Sequence, residues 1–264
     1  MTLLQRTGRT ALAVTGLRTR ARPRLESALP ARPAGSPSAT AVLTELGAGL
    51  AAGRLAGALP RLVGAPRGDG HTVVDIPGWQ APELSGAPMR AYLRFLGYDA
   101  RSWGFGTNTG DPRRDVERLG RRVLELVDDS GSTVSLVGWS LGGVIAREVA
   151  RRHPDAVHRV ITYGTPVVGG PRFTTVARAY APRGGAARVV AERLDPESPI
   201  QVPLTVVFTR RDGIVSWEAC LDHFSPYAEH VEVYSTHLGM GVDPDVWEIV
   251  ADRLATSVPV RPSR

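Results

Sequence analysis

The spacing of hydrophobic positions changes along the chain in a way that predicts alternating helices and strands. From Ala41 onward, Val42, Leu43, Leu46, Leu50, Leu55 and Leu59 recur at nearly helical intervals, and Pro60 is expected to limit that segment. Thr72–Ile76 is a short apolar run that stops at Pro77-Gly78 and predicts a strand. Pro88–Leu96 reads as a helix closed by Gly97, and Tyr98–Trp103 as a second strand. Asp111 followed by Pro112 marks a helix start, with Val116, Leu119, Val123, Leu126 and Val127 on its buried face. Thr133–Gly138 is almost continuously apolar, the pattern of a strand covered on both sides. A helix is expected over Leu141–Arg152, ending before His153-Pro154. Further strands are expected at Val157–Thr162, Leu204–Phe208 and His230–Tyr234, with helices at Ser216–His223 and Pro244–Leu254.

This alternation predicts an α/β fold, a mostly parallel sheet covered by helices on both faces. Residues 41–264 are expected to form a single domain. The segment 169–203 is too long and too weakly periodic for an ordinary connection, so it is expected to be a lid or a small helical insertion.

Composition narrows the chemistry. The 264 residues are 42% hydrophobic and 22% charged, ordinary for a soluble globular protein. A single cysteine, Cys220, excludes an internal disulfide framework and a Cys-rich zinc site. Every basic residue among the 32 is arginine. Without lysine there is no Walker-type phosphate loop and no Schiff base to pyridoxal phosphate.

The net charge of +6 sits at one end. Arg6, Arg9, Arg18, Arg20, Arg22, Arg24 and Arg32 face only Glu26 within residues 1–40, and the rest of the chain is balanced. The basicity therefore describes an N-terminal extension, and no nucleic-acid partner is expected. Arg18–Ser38, rich in Arg, Pro and Ser, reads as disordered. Three readings are open for the extension: a solvated segment, a basic arm that touches anionic lipid, or an export signal. The apolar stretch Ala11–Leu17 is short for a secretory signal, and no run of ~20 apolar residues predicts a transmembrane helix. A cytoplasmic location is expected.

The most informative residues are Gly138-Trp139-Ser140-Leu141-Gly142-Gly143. A strand runs into this G-x-S-x-G and a helix runs out, the setting of a nucleophile elbow. A strand that turns abruptly into a helix crowds the positions two before and two after its apex, which favours glycine there. The apex serine is expected in a strained conformation, with the helix N-terminus and the Leu141 N–H facing any oxyanion formed at it.

A serine hydroxyl needs a base, and the base needs an orienting carboxylate. His223, His230 and His237 follow Ser140 at sufficient distance. His230 opens a strand and His223 falls in an expected helix, whereas His237 lies in a loop beyond a strand's carboxyl end, where sites gather in parallel sheets. The same rule selects Asp212, in the loop after Leu204–Phe208, over Asp195 and Asp222. The loop Asp75–Gln80 should bring a second oxyanion donor, the N–H of Trp79.

Together these motifs resemble the α/β-hydrolases of the bacterial esterase/lipase type. The resemblance is carried by Pro77-Gly78-Trp79, the elbow at 138–143, Thr162-Tyr163-Gly164-Thr165-Pro166, Arg211-Asp212-Gly213-Ile214-Val215 and Thr236-His237-Leu238-Gly239-Met240, and it spans residues 70–256. Pro77 stands where histidine is more frequent in that family. The resemblance implies Ser140 as nucleophile, Asp212 as acid, His237 as base, and Trp79 and Leu141 as oxyanion donors, with no metal or organic cofactor.

The expected activity is hydrolysis of a carboxylic ester through an acyl-enzyme. Trp79, Trp103, Phe105 and Trp139 lie near the predicted site loops and suggest a partly apolar substrate, although core packing would place them there equally well. The same machinery serves thioesterases, lactonases and enzymes that pass the acyl group to another nucleophile. A catalytically silent ligand-binding protein of this fold is the alternative from another class.

Overall fold

The apolar runs become one six-stranded sheet in the computed structural model, which describes residues 33–38, 40–177, 179 and 196–256. The chain enters through a 3-10 turn (Ala41–Gly47) and α1 (Ala48–Val63). It continues through β1 (Thr72–Ile76), α2 (Ala87–Phe95), β2 (Asp99–Ser102), α3 (Pro112–Ser130), β3 (Val134–Trp139) and α4 (Leu141–Arg152). β4 (Val157–Tyr163), β5 (Leu204–Phe208), β6 (Ala228–Glu232) and α5 (Pro244–Ala255) complete it. The strand order is β2-β1-β3-β4-β5-β6, and every neighbouring pair is parallel.

Successive residues of the four central strands, β1, β3, β4 and β5, enter opposite layers. Val74, Leu136, Val160 and Val206 pack beneath α3 and α4, while Val73, Val137, Ile161 and Val207 pack beneath α1, α2 and α5. Burial on both faces explains why the strands read as unbroken apolar runs. The chain adds β2 on one side of β1 and β3 on the other, so the carboxyl ends of β1 and β3 flank a switch point, where open parallel sheets bind ligands.

Local signals set the helix ends. Asp111 accepts from Arg114 N at 3.2 Å ahead of Pro112, and Gly131, at φ 66°, closes α3 in a left-handed cap.

α1 departs from its predicted face. Leu46 is 84% exposed and Leu50 76%, with Leu43 and Leu59 also in solvent. Ala51, Ala58 and Leu62 are buried instead, against α5 and the 3-10 turn Gly239–Val242. The reason is phase. The first seven residues wind as a 3-10 turn at 3.0 residues per turn, so the leucine spacing read before Gly47 does not carry into a helix of 3.6. Pro60 does not end α1, which runs on to Val63; its carbonyl accepts from Gly64 N at 3.2 Å. Ala41–Val63 is also long and apolar enough, by length and composition, to cross a membrane, with a mean hydropathy of 1.2. Gly47, Gly49, Gly53 and Gly57 interrupt its apolar residues, so the stretch holds no unbroken apolar run of that length.

The expected helix Ser216–His223 shrinks to a 3-10 turn at Trp217–Cys220. Asp222 leaves it because its Oδ1 accepts from Phe224 N and Ser225 N, while Oδ2 accepts from Ser225 Oγ and Arg147 Nη1, each at 2.7 Å. Burial opposes ionisation of Asp222, but Arg147 and these donors outweigh it and hold the carboxyl well below the usual range. A folded-state pKa below the unfolded one adds stability that is complete above the ordinary carboxylate pKa and disappears as pH falls through the folded value. Asp222→Asn is therefore expected to lower stability at pH 7 by about 3 kcal/mol and to flatten the acid limb below pH ~4, measured by urea unfolding as a function of pH.

Of the anticipated lid, the flanks are described. Gly170–Phe173 forms a 3-10 turn, and Thr174 bridges to Val215. Residues 180–195 lie outside the described residues, as do residues 1–32 of the basic extension.

Candidate active site

β3 delivers Ser140 straight into α4. Ser140 sits at φ 53° and ψ −121°, a conformation that side-chain-bearing residues rarely adopt. Its N–H is held by the Tyr163 carbonyl at 2.9 Å, and its own carbonyl accepts from Gly143 N at 3.0 Å. The turn is too tight for side chains on either flank. A Cβ on Gly138 would lie 2.5 Å from Gly143 Cα, and one on Gly142 would lie 2.2 Å from the Ile76 carbonyl oxygen. Leu141 is the first residue of α4, so its N–H has no carbonyl one turn back within the helix and stands beside the serine.

The loop after β1 meets the serine from the other side of the switch point. A Cβ on Gly78 would lie 3.2 Å from Ser140 Cβ, so Gly78-Trp79 passes directly over the elbow. Asn108 ties this loop down. It is fully buried, donates from Nδ2 to the Pro77 carbonyl at 2.8 Å, and accepts from Gln80 N at 2.7 Å. Gln80 itself takes a positive φ of 58°.

Asp212 and His237 come from the loops after β5 and β6. His237 Nδ1 donates to Asp212 Oδ2 at 2.8 Å, with both side chains buried. The other carboxylate oxygen, Oδ1, accepts from Ile214 N at 2.9 Å and Val215 N at 2.7 Å. The carboxylate is thus fixed through its far oxygen and fixes the imidazole through its near one. The His237 ring lies 5.6 Å from that of Trp139, the residue before the serine. Among the described residues no hydrogen bond joins the Ser140 hydroxyl to His237; such contacts commonly tighten only around substrate.

The rival carboxylate Asp222 is engaged with Arg147, and the rival His230 accepts from Asp222 N through Nε2 at 3.0 Å. Asp195 lies outside the described residues. A second serine–histidine contact, His71 Nε2 to Ser135 Oγ at 2.8 Å, lies at the opposite, amino end of the sheet. Ser135 is fully buried and five residues before Ser140, about 16 Å along the strand, so this is a hydrogen bond of the fold. Trp103 is also structural, buried with its indole N–H on the Gly106 carbonyl. Among the described residues no three His, Cys, Asp or Glu side chains gather as metal ligands would.

One residue escaped the sequence altogether. Glu45, buried in the 3-10 turn before α1, accepts through Oε1 from Gly213 N at 2.8 Å and His237 N at 3.0 Å, and through Oε2 from Leu238 N at 2.8 Å. It clamps together the two loops that carry Asp212 and His237. Its only signal was being the sole acidic residue between Ala41 and Val63. Glu45→Ala strands three backbone N–H groups and is expected to cost about 3 kcal/mol of stability. It should also lower kcat up to about 100-fold with a smaller change in KM, through misplacement of the imidazole. Thermal unfolding alongside steady-state kinetics checks both.

A sheet of this order, with an elbow serine at its switch point and a carboxylate–imidazole pair on neighbouring strand ends, defines an α/β-hydrolase. The chain belongs to the alpha/beta hydrolase family, whose model matches residues 73–259. Among curated proteins it is 42% identical over 124 residues to a pimeloyl-[acyl-carrier protein] methyl ester esterase of Aromatoleum aromaticum, covering 45% of this chain and 46% of that one. It is 33% identical over 79 residues to a bifunctional protein of biotin biosynthesis from Teredinibacter turnerae, covering 30% of this chain and 13% of that one. The chain thus spans less than half the length of these relatives. Among solved structures, the naproxen esterase of Bacillus subtilis aligns with a TM-score of 0.52 at 14% identity, covering 73% of this chain and 86% of that one. The enol-lactonase of Burkholderia xenovorans aligns with a TM-score of 0.51 at 18% identity, covering 72% and 93%. These likenesses show a shared fold.

Proposed function

We propose that the protein is a serine hydrolase that cleaves carboxylic esters through an acyl-enzyme on Ser140. The observation that carries this is the strained Ser140 at the start of α4, set at the same end of the sheet as a buried Asp212–His237 hydrogen bond. Ser140 Oγ attacks the ester carbonyl carbon while its proton passes to His237 Nε2. The carbonyl electron pair moves onto oxygen, which the N–H groups of Leu141 and Trp79 receive. Collapse expels the alkoxide, which takes the proton from His237. Water then repeats the sequence on the acyl-enzyme, releasing the acid and restoring Ser140. Asp212 keeps the imidazole in the tautomer that accepts at Nε2 and stabilises its charged form.

The name of the matched Aromatoleum aromaticum relative describes methyl ester cleavage, which favours esters over thioesters, lactones or acyl transfer. The aromatic ring of Trp79 beside the elbow supports a partly apolar substrate. The seven arginines ahead of an outward leucine face on α1 support contact of this end of the molecule with anionic lipid. Labelling by a fluorophosphonate, with ester hydrolysis assayed on the same sample, tests the proposal. An unlabelled, inactive protein would overturn it in favour of a silent binding role.

A further inference from the structure

Next to the elbow, on the α1–α2–α5 side of the sheet, the structure contains a cavity of about 110 Å³. Asp75, Trp139 and Tyr163 line it, together with Pro77, Ser85 and Leu238. Three of these residues are chain neighbours of the site: Trp139 precedes Ser140, Leu238 follows His237, and Pro77 precedes Gly78-Trp79. The space would hold several waters or a small group of a substrate.

Its polar atoms are unmatched. Asp75 is 2% exposed and Tyr163 3%. Arg90 Nη1 bonds Asp75 Oδ2 at 2.7 Å and the Glu83 carbonyl at 2.9 Å. Among the described residues, neither Asp75 Oδ1 nor the Tyr163 hydroxyl has a hydrogen-bond partner. Polar groups on side chains this deeply buried are ordinarily paired, so two together point to an occupant. Burial pushes the Asp75 carboxyl up to about 6 against the pull of Arg90, and burial together with Asp75 pushes the Tyr163 phenol well above its ordinary range.

The donors and acceptors specify the occupant. Asp75 and Arg90 offset each other's charge, so the cavity does not call for an ion. Asp75 Oδ1 accepts, while the Tyr163 O–H donates. A hydroxyl group satisfies such a pair by donating to the first and accepting from the second. A hydrocarbon would leave both unpaired, and a carboxylate would face Asp75.

We propose that this cavity is a subsite for a hydroxyl group carried by the ester substrate a few bonds from its carbonyl. The proposal rests on Ser140 being the nucleophile. The hydroxyl can sit on the acyl or the alcohol side, and two substrate pairs separate these sources: methyl butyrate against methyl hydroxybutyrate, and ethyl butyrate against the monobutyrate of ethylene glycol. In one pair kcat/KM is expected to favour the hydroxylated member on the order of tenfold. Tyr163→Phe, which removes one oxygen, should bring that preference to within about twofold. If this variant does not fold, inhibition of the wild-type enzyme by butanediol against butanol decides, with tighter diol binding supporting the subsite and equal binding overturning it. Equal kcat/KM within both pairs, the result for a cavity that holds water only, also overturns it. Fluorophosphonate labelling of the same sample keeps the two levels apart. A labelled enzyme without the preference loses the subsite alone, whereas an unlabelled one loses the serine-hydrolase reading as well.

Discussion

Ser140→Ala is expected to reduce ester turnover by about 10⁴-fold or more while the protein remains folded. The substitution removes only Oγ, and no hydrogen bond of the fold is made by that atom among the described residues. What remains is binding and any polarisation by the Leu141 and Trp79 N–H groups. Ser140→Gly makes a useful companion. It should be equally inactive yet more stable than the alanine variant by about 1 kcal/mol, because glycine adopts a φ of 53° without the penalty a Cβ incurs. Turnover and denaturant midpoints for the two variants check both statements. Ester hydrolysis retained at wild-type rate in either would remove Ser140 from the mechanism.

Asp212→Asn is expected to lower kcat at neutral pH by roughly 10³- to 10⁴-fold with little loss of structure. The amide oxygen can still accept from Ile214 N and Val215 N, so the loop after β5 keeps its shape. The amide NH₂ then faces His237 Nδ1, which must become an acceptor, and the ring proton moves to Nε2. An imidazole protonated at Nε2 cannot take the serine proton. Fluorophosphonate labelling should slow in parallel with turnover. A variant that labels and turns over at the wild-type rate would show that Asp212 does not set the tautomer.

How much of this was legible beforehand depended on how local each signal is. β1 and β5 start and stop in the chain where the sequence places them, because an apolar run bounded by Pro and Gly is a property of five adjacent residues. The elbow is local too: Gly138, Ser140 and Gly142 must serve one turn, so they lie within five positions. α1 was the opposite case. Its leucines carried a helical period but no information on what would cover them. The packing against α5 and the Gly239–Val242 turn selected the small residues Ala51 and Ala58, which let these elements approach closely. Asp222 looked helical until Arg147, 75 residues earlier, provided its partner.

Glu45 and Asn108 were invisible for the same reason. Each satisfies backbone groups of loops distant in sequence, and such a bond leaves no trace in residue type. The cavity beside Trp139 likewise exists only because Asp75, Tyr163 and Leu238 arrive from three separate segments. The chain by itself determined its strands, its layer architecture and the serine-bearing turn, since these follow from periodicity and from steric limits acting over a few residues. Only the tertiary structure decided which face of α1 is buried, which carboxylate meets an imidazole at 2.8 Å, and which residues line the cavity beside Trp139. Those outcomes depend on distances between residues far apart in the chain, and those distances are set by how the layers close on one another.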